Sequence, residues 1–206
     1  MSQSITNLPV GAKVKFGRYQ VETEEPQPIA WIIADKDHNG YPSGAITLVT
    51  ERIIDLRAFD AKEAGNSNSD RVNYGNNYYP YSNISQWLNS REGSNWYRDQ
   101  HSADAPPNDA NTGNYGTGYD DHPGFLSYFT EDEYRCILDT ELDVIKDFVG
   151  NIKDLTKYTS KVFLLSTTEV SAADEISGKP EGSRLEYFNG EVRRTAKPTP
   201  QCLKNT

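Results

Sequence analysis

The chain has 206 residues, a formal net charge of −9, and only 35% of its residues in the apolar and aromatic set. Its mean hydropathy is −0.75 and its pI about 4.9. That length suits one domain, residues 1–206, whose single core carries much polar loop, and the acidic balance excludes the basic footprint that nucleic acid or an anionic membrane surface requires.

The first residues, MSQSITNLPVGAKVKF, contain no apolar run of signal-peptide length, and no stretch approaches a membrane span. Synthesis in a cytoplasm without an export signal is the expectation. Residues 13–19 (KVKFGRY) alternate as a short strand, with Val14 and Phe16 on one face. Residues 28–34 (PIAWIIA) form an apolar run around Trp31, and residues 45–50 (AITLVT) are rich in β-branched types. The connection between them, DKDHNGYPSG, opens like a calcium loop. Asp35, Asp37 and Asn39 stand at positions one, three and five, and Gly40 at six. The twelfth position is Ile46 rather than a bidentate Glu, and strands rather than helices flank it. The reading is therefore a hairpin turn. No cofactor is expected, and calcium on Asp35, Asp37 and Asn39 is the one metal the loop raises.

Residues 82–90 (SNISQWLNS) predict a helix capped by Ser82, with Ile84, Trp87 and Leu88 on its inner face. Thr130 and Glu133 form a capping box, with Phe129 and Tyr134 as its staple, and predict a helix over 130–142. Cys136 falls beside its apolar stripe, as an inert structural thiol. Residues 161–166 (KVFLLS) read as a buried strand, and Ser166 with Glu169 as a further capping box opening a short helix. Trp31, Trp87, Phe125, Phe129 and Phe163 are assigned to the core.

Between Gly65 and Gly124 the chain is dominated by Asn, Gly, Ser and Tyr. Tyrosine gives contact area at low entropic cost, and Asn, Ser and Gly give adaptable hydrogen bonding, as in binding loops. Segments this long without regular structure are uncommon inside a domain and tend to be functional or disordered. The candidate contact residues are Tyr74, Tyr78, Tyr79, Tyr81, Trp96, Tyr97, Tyr115 and Tyr119. The bland alternative, that tyrosines pin loops to the core, stays open. Catalytic signals are sparse. His101 with Asp104, and Asp120, Asp121 and His122, are loop residues with no spacing that fixes metal ligands on one face. No G-x-S-x-G elbow or phosphate loop occurs, and no enzyme activity is expected.

The ordered set VKFGRY, PIAWIIA, AITLVTERIID, YSNISQWLNS, NWYRDQHSADAPP, GFLSYFTEDE, KVFLLSTTEV and EGSRLEYF resembles a family of uncharacterised domains common in Firmicutes and their bacteriophages. The resemblance runs from about Gly11 to the C-terminus. It implies an α+β, C-type-lectin-like fold, akin to formylglycine-generating enzymes and phage receptor-binding tips. Such a fold has a small mixed or antiparallel sheet, two main helices and long irregular loops. Relatives usually continue beyond a PTPQC-like segment into a tryptophan-rich stretch. This sequence stops at Thr206, so the expectation is a domain lacking the family's C-terminal portion, with a sheet edge left for another subunit. The copper-binding cysteine pair of the formylglycine-generating relatives has no counterpart in Cys136 and Cys202. The implied function is that of a non-enzymatic bacteriophage or prophage virion protein at the tail, baseplate or capsid surface. It would act in host adhesion or as a structural subunit, as a homo-oligomer meeting other virion subunits or a host glycan or protein. The alternative is a carbohydrate-binding module of a bacterial protein.

Overall fold

The structure is a computed structural model that describes residues 4–113, 117–149, 152–171, 179–190 and 195–204. Three strands form the first sheet: β1 (Lys13–Tyr19), β2 (Gln27–Lys36) and β3 (Ile46–Thr50), antiparallel and in that order. The central strand β2 buries Ile29, Ile32, Ile33 and Ala34, which is why it reads as an apolar run rather than an alternation. β1 does alternate, but its phase changes. Val14 and Phe16 are half-buried, and then Gly17 and Tyr19 are buried. The register shift against β2 between Lys15 and Arg18 inserts one residue and flips the faces. Gly17 makes this bulge at φ +61°, and a Cβ there would lie 2.1 Å from the Phe129 ring.

The helices are short. α1 (Ser69–Tyr74), α2 (Asn83–Leu88) and α3 (Asp109–Thr112) are capped by the side chains of Asn68, Ser82 and Asn108. In α4 (Glu131–Cys136) the capping box of Thr130 and Glu133 is complete. The helix stops there, however, short of the predicted residue 142. Ile137 is already extended, Leu138 is exposed, and β4 (Thr140–Val149) begins two residues later. The reason is the period-two pattern of TELDV. Thr140, Leu142 and Val144 are buried, whereas Asp143 faces outward to Lys157 Nζ at 2.9 Å. β4 pairs with β5 (Ile152–Ser160) as a second, two-stranded antiparallel sheet that the sequence reading missed.

Residues 161–166 follow β5 as an irregular half-buried segment rather than a strand. Ser166 and Glu169 do exchange both capping-box hydrogen bonds, at 2.8 and 3.1 Å, but around a single turn. A short α5 (Pro200–Lys204) stands where no element was expected, and Ile53 and Pro198 form a parallel bridge beside the end of β3. Both cysteines are free. Cys136 is exposed rather than packed in a core stripe, and Cys202 is buried.

The main core joins Tyr19, Ile29, Ile84, Trp87, Trp96, Tyr119, Phe125 and Phe129. Trp31 and Phe163 are only half-buried. Trp31 lies along the sheet, its indole N–H donating to Phe16 O at 2.7 Å. The architecture is thus α+β, with two small antiparallel sheets, few short helices and long irregular connections. No helix among the described residues is long and apolar enough to cross a membrane.

Candidate functional site

The DKDHNG stretch is a hairpin connection between β2 and β3. Asp37 adopts φ +57°, its N–H donates to Ala45 O at 2.8 Å, and its Oδ1 accepts from Gly44 N at 2.7 Å. Asp35 is buried and accepts from the N–H of Lys36 (2.7 Å) and of Glu186 (3.1 Å). Both carboxylates that suggested calcium accept backbone N–H groups, Asp37 from the loop itself and Asp35 also from Glu186, and Asn39 is exposed. No group of three or more His, Cys, Asp or Glu among the described residues is placed to hold a metal ion.

Asp35 has a third partner. His38 Nδ1 lies 2.7 Å from Asp35 Oδ2, and His38 Nε2 lies 3.2 Å from Ser183 Oγ. The imidazole is nearly inaccessible, with its ring edge-on to Tyr41 at 4.7 Å. The Tyr41 hydroxyl donates to Glu169 Oε1. Burial, first of all, raises the Glu169 pKa, against the hydrogen bonds from Tyr41 and Ser166. This network fastens the β2–β3 connection to Ser166, Glu169, Ser183 and Glu186.

The candidate contact residues divide by burial. Tyr74 is 63% exposed and Tyr81 43%. Tyr78 is half-buried and packs edge-on to Tyr81 at 5.0 Å, and Tyr81 lies 5.4 Å from the His101 ring. Tyr78, Tyr81 and His101 thus form an aromatic cluster, and Tyr74, at the end of α1, is exposed as well. Tyr79 is half-buried and accepts the Leu164 N–H on its hydroxyl at 3.3 Å. Tyr97 is half-buried and donates to Asp99 at 2.8 Å. Trp96 and Tyr119 are corrected, because both are core residues and not available for contact. Their rings stack at 5.5 Å, and their polar tips donate to Tyr119 O and Ala58 O. For these two the pinning role was the right one. Tyr115 lies outside the described residues.

Beneath the exposed tyrosines sits a buried acidic group. Asp60 accepts from Asn76 N (2.6 Å) and Asn83 N (2.8 Å). Glu63, fully buried, has Oε1 3.5 Å from His101 Nε2, which is 3.9 Å from Asp104 Oδ1. Burial pushes the Asp60 carboxyl up to about 7, with Asp104 and Glu63 adding to it and the two N–H donors opposing. Elsewhere, His122 Nδ1 accepts from Arg57 Nη2 at 2.9 Å. Burial and then the Arg57 charge hold its pKa down, so this nitrogen serves an arginine rather than a metal.

One large concavity, about 980 Å³, runs along β3. Its walls include Phe16, Trp31, Leu48 and Leu164, with the Arg57–Asp55 ion pair (2.8 Å) at one side. Neither it nor the His38–Ser183 contact was legible in the sequence. Ser183 lies 145 residues beyond His38, and no local spacing connects them.

The described fold and surfaces define an α+β protein with an aromatic loop face and an apolar groove beside an edge strand. The chain belongs to the DUF6273 family, a domain of unknown function, whose model matches residues 44–205. No curated protein and no solved structure matches it.

Proposed function

We propose that this protein is a C-type-lectin-like contact module of a bacteriophage or prophage virion, on a tail, baseplate or capsid surface. It works by engaging a host-surface glycan or protein, or a neighbouring subunit. The observation that carries the reading is the packed pair Tyr78 and Tyr81 at the surface, with Tyr74 exposed at the end of α1. Exposed tyrosines present flat apolar faces and hydroxyl rims at low entropic cost, which suits sugar rings and protein partners alike. The small antiparallel sheets, short helices and long loops are consistent with the lectin-like resemblance. The net charge of −9 favours a partner that is not polyanionic. The same tyrosine surface also suits a carbohydrate-binding module of a bacterial protein.

The two settings separate by mass spectrometry of gradient-purified particles from the source organism. Stoichiometric presence against the major capsid protein is expected, and absence from particles removes the virion setting. The contact surface is tested on a glycan array and on whole host cells with Tyr74→Ala/Tyr81→Ala. Removing two aromatic platforms is expected to weaken binding by roughly tenfold or more, at about 1–3 kcal/mol for a well-used ring. Unchanged binding would dismiss this face as the site.

A further inference from the structure

The geometry points to Ser183 as a nucleophile activated by His38 and Asp35, able to take the acyl group from a short-chain acyl ester. This goes beyond the contact reading and does not depend on it. The arrangement is a carboxylate–imidazole–hydroxyl relay drawn from two distant parts of the chain. Asp35 is held by the backbone N–H groups of Lys36 and Glu186 at 2.7 and 3.1 Å. Its Oδ2 accepts from His38 Nδ1 at 2.7 Å, which sets the proton on Nδ1 and leaves the Nε2 lone pair free. That lone pair meets Ser183 Oγ at 3.2 Å, nearer than the hydroxyl's other acceptor, Asn39 O at 3.5 Å. A buried carboxylate orienting a base that faces a hydroxyl is what activates serine, whatever the fold.

The placement of the two ends suits the roles. Asp35 and His38 are buried, and Ser183 is half-buried between the exposed Gly182 and Arg184. Gly182 turns the chain at φ +85° just before the serine. The Arg184 backbone N–H, next after the serine, has no acceptor among the described residues and is the donor assigned here to a developing oxyanion. The neighbouring Asn39 and Gly40 are exposed, which places the half-buried serine near the surface. To a serine so placed we assign the smallest acyl groups, including one carried on a larger polymer.

In the reaction Ser183 Oγ bonds to the ester carbonyl carbon and its proton passes to His38 Nε2. The ester C–O bond breaks, and the leaving alcohol takes that proton. Water then attacks the acyl-serine, giving one proton to Nε2. The serine oxygen leaves and recovers that proton, so ester plus water yields acid plus alcohol.

The full chain is treated with a fluorophosphonate, which serine relays displace at phosphorus with loss of fluoride, and the adduct is mapped by mass spectrometry. An adduct on Ser183 is expected. It should be absent in Ser183→Ala and formed roughly 100-fold or more slowly in His38→Gln, as loss of a general base implies. The native chain, unlike Ser183→Ala, should also release p-nitrophenol from p-nitrophenyl acetate. No adduct, an adduct elsewhere, or an equal rate in a folded His38→Gln overturns the proposal. If His38→Gln does not fold, Ser183→Cys in the native background replaces it. Its new thiol should react with iodoacetamide at pH 6 at least about tenfold faster than Cys136 of the same chain, an exposed reference thiol. Equal rates overturn the relay. Failure of either kind leaves the tyrosine surface and its binding test untouched.

Discussion

At Asp60 the balance between burial and hydrogen bonding sets a pH dependence. The carboxyl is removed from water beside Glu63 and Asp104, and two backbone N–H donors only partly compensate, so its pKa stands at about 7 instead of the usual 3.8. Between these values the folded chain holds a proton that the unfolded chain releases. The stability this contributes is fully present below about pH 4 and is lost as pH rises through 7. The expected result is a urea midpoint that falls from pH 5 to pH 8, with a smaller fall in Asp60→Asn. That comparison concerns the slope alone, since the introduced amide NH2 also faces a backbone N–H. An equal slope in both proteins would place the proton elsewhere. The same residue scale shows what the sequence hid. Asp35 and His38 stand three apart in plain view, but their stretch reads only as a hairpin turn, with calcium the one ligand its oxygens raise. What decides their chemistry is Ser183 and the Glu186 N–H, brought in by long-range folding.

Among the elements, those announced by local chemistry were legible and those set by competition were not. β1, β2, β3 and α2 fall close to their predicted spans, because each carries a local signal of its own: an alternation in β1, an apolar run in β2, β-branched residues in β3 and a capped apolar stripe in α2. α4 shows the limit, since its capping box states where a helix begins and not how far it runs. The period-two burial of Thr140, Leu142 and Val144 ends it. Glu133 gives that start a second purpose. Its Oε2 accepts from the Thr130 N–H at 2.8 Å, and its Oε1 accepts from Gly17 N at 3.2 Å, across to the β1 bulge. Thr130→Ala removes the Oγ that accepts from Glu133 N at 3.2 Å. It is expected to cost about 1 kcal/mol in urea unfolding, with Thr130→Ser close to the native value. A larger loss in Thr130→Ala would mean that the cap also holds the bulge.

For the whole molecule the question is whether two sheets that share no strand unfold as one. Asn89, at the end of α2, is the joint between them. Its Oδ1 accepts from the N–H of Lys161 (2.9 Å) and Val162 (3.1 Å) and from Ser160 Oγ (3.2 Å), while its Nδ2 donates to Ser85 O and Val162 O, each at 2.9 Å. Ser85 Oγ and Tyr158 OH, 2.9 Å apart, add a second tie from α2 to β5. Trp87 and Trp96 report on the main core and Trp31 on the first sheet, whereas far-UV circular dichroism also reports on β4–β5. In the native chain the fluorescence and dichroism transitions in urea are expected to superimpose, as a single cooperative unit requires. Asn89→Ala leaves two N–H groups of the β5 exit without their acceptor, at roughly 1–3 kcal/mol for each that stays unsatisfied. The two transitions should then separate, the dichroism change preceding the fluorescence change. Superimposed curves in that variant would show that core packing around Tyr79 and Tyr158, 5.8 Å apart and edge-on, couples the sheets without the asparagine.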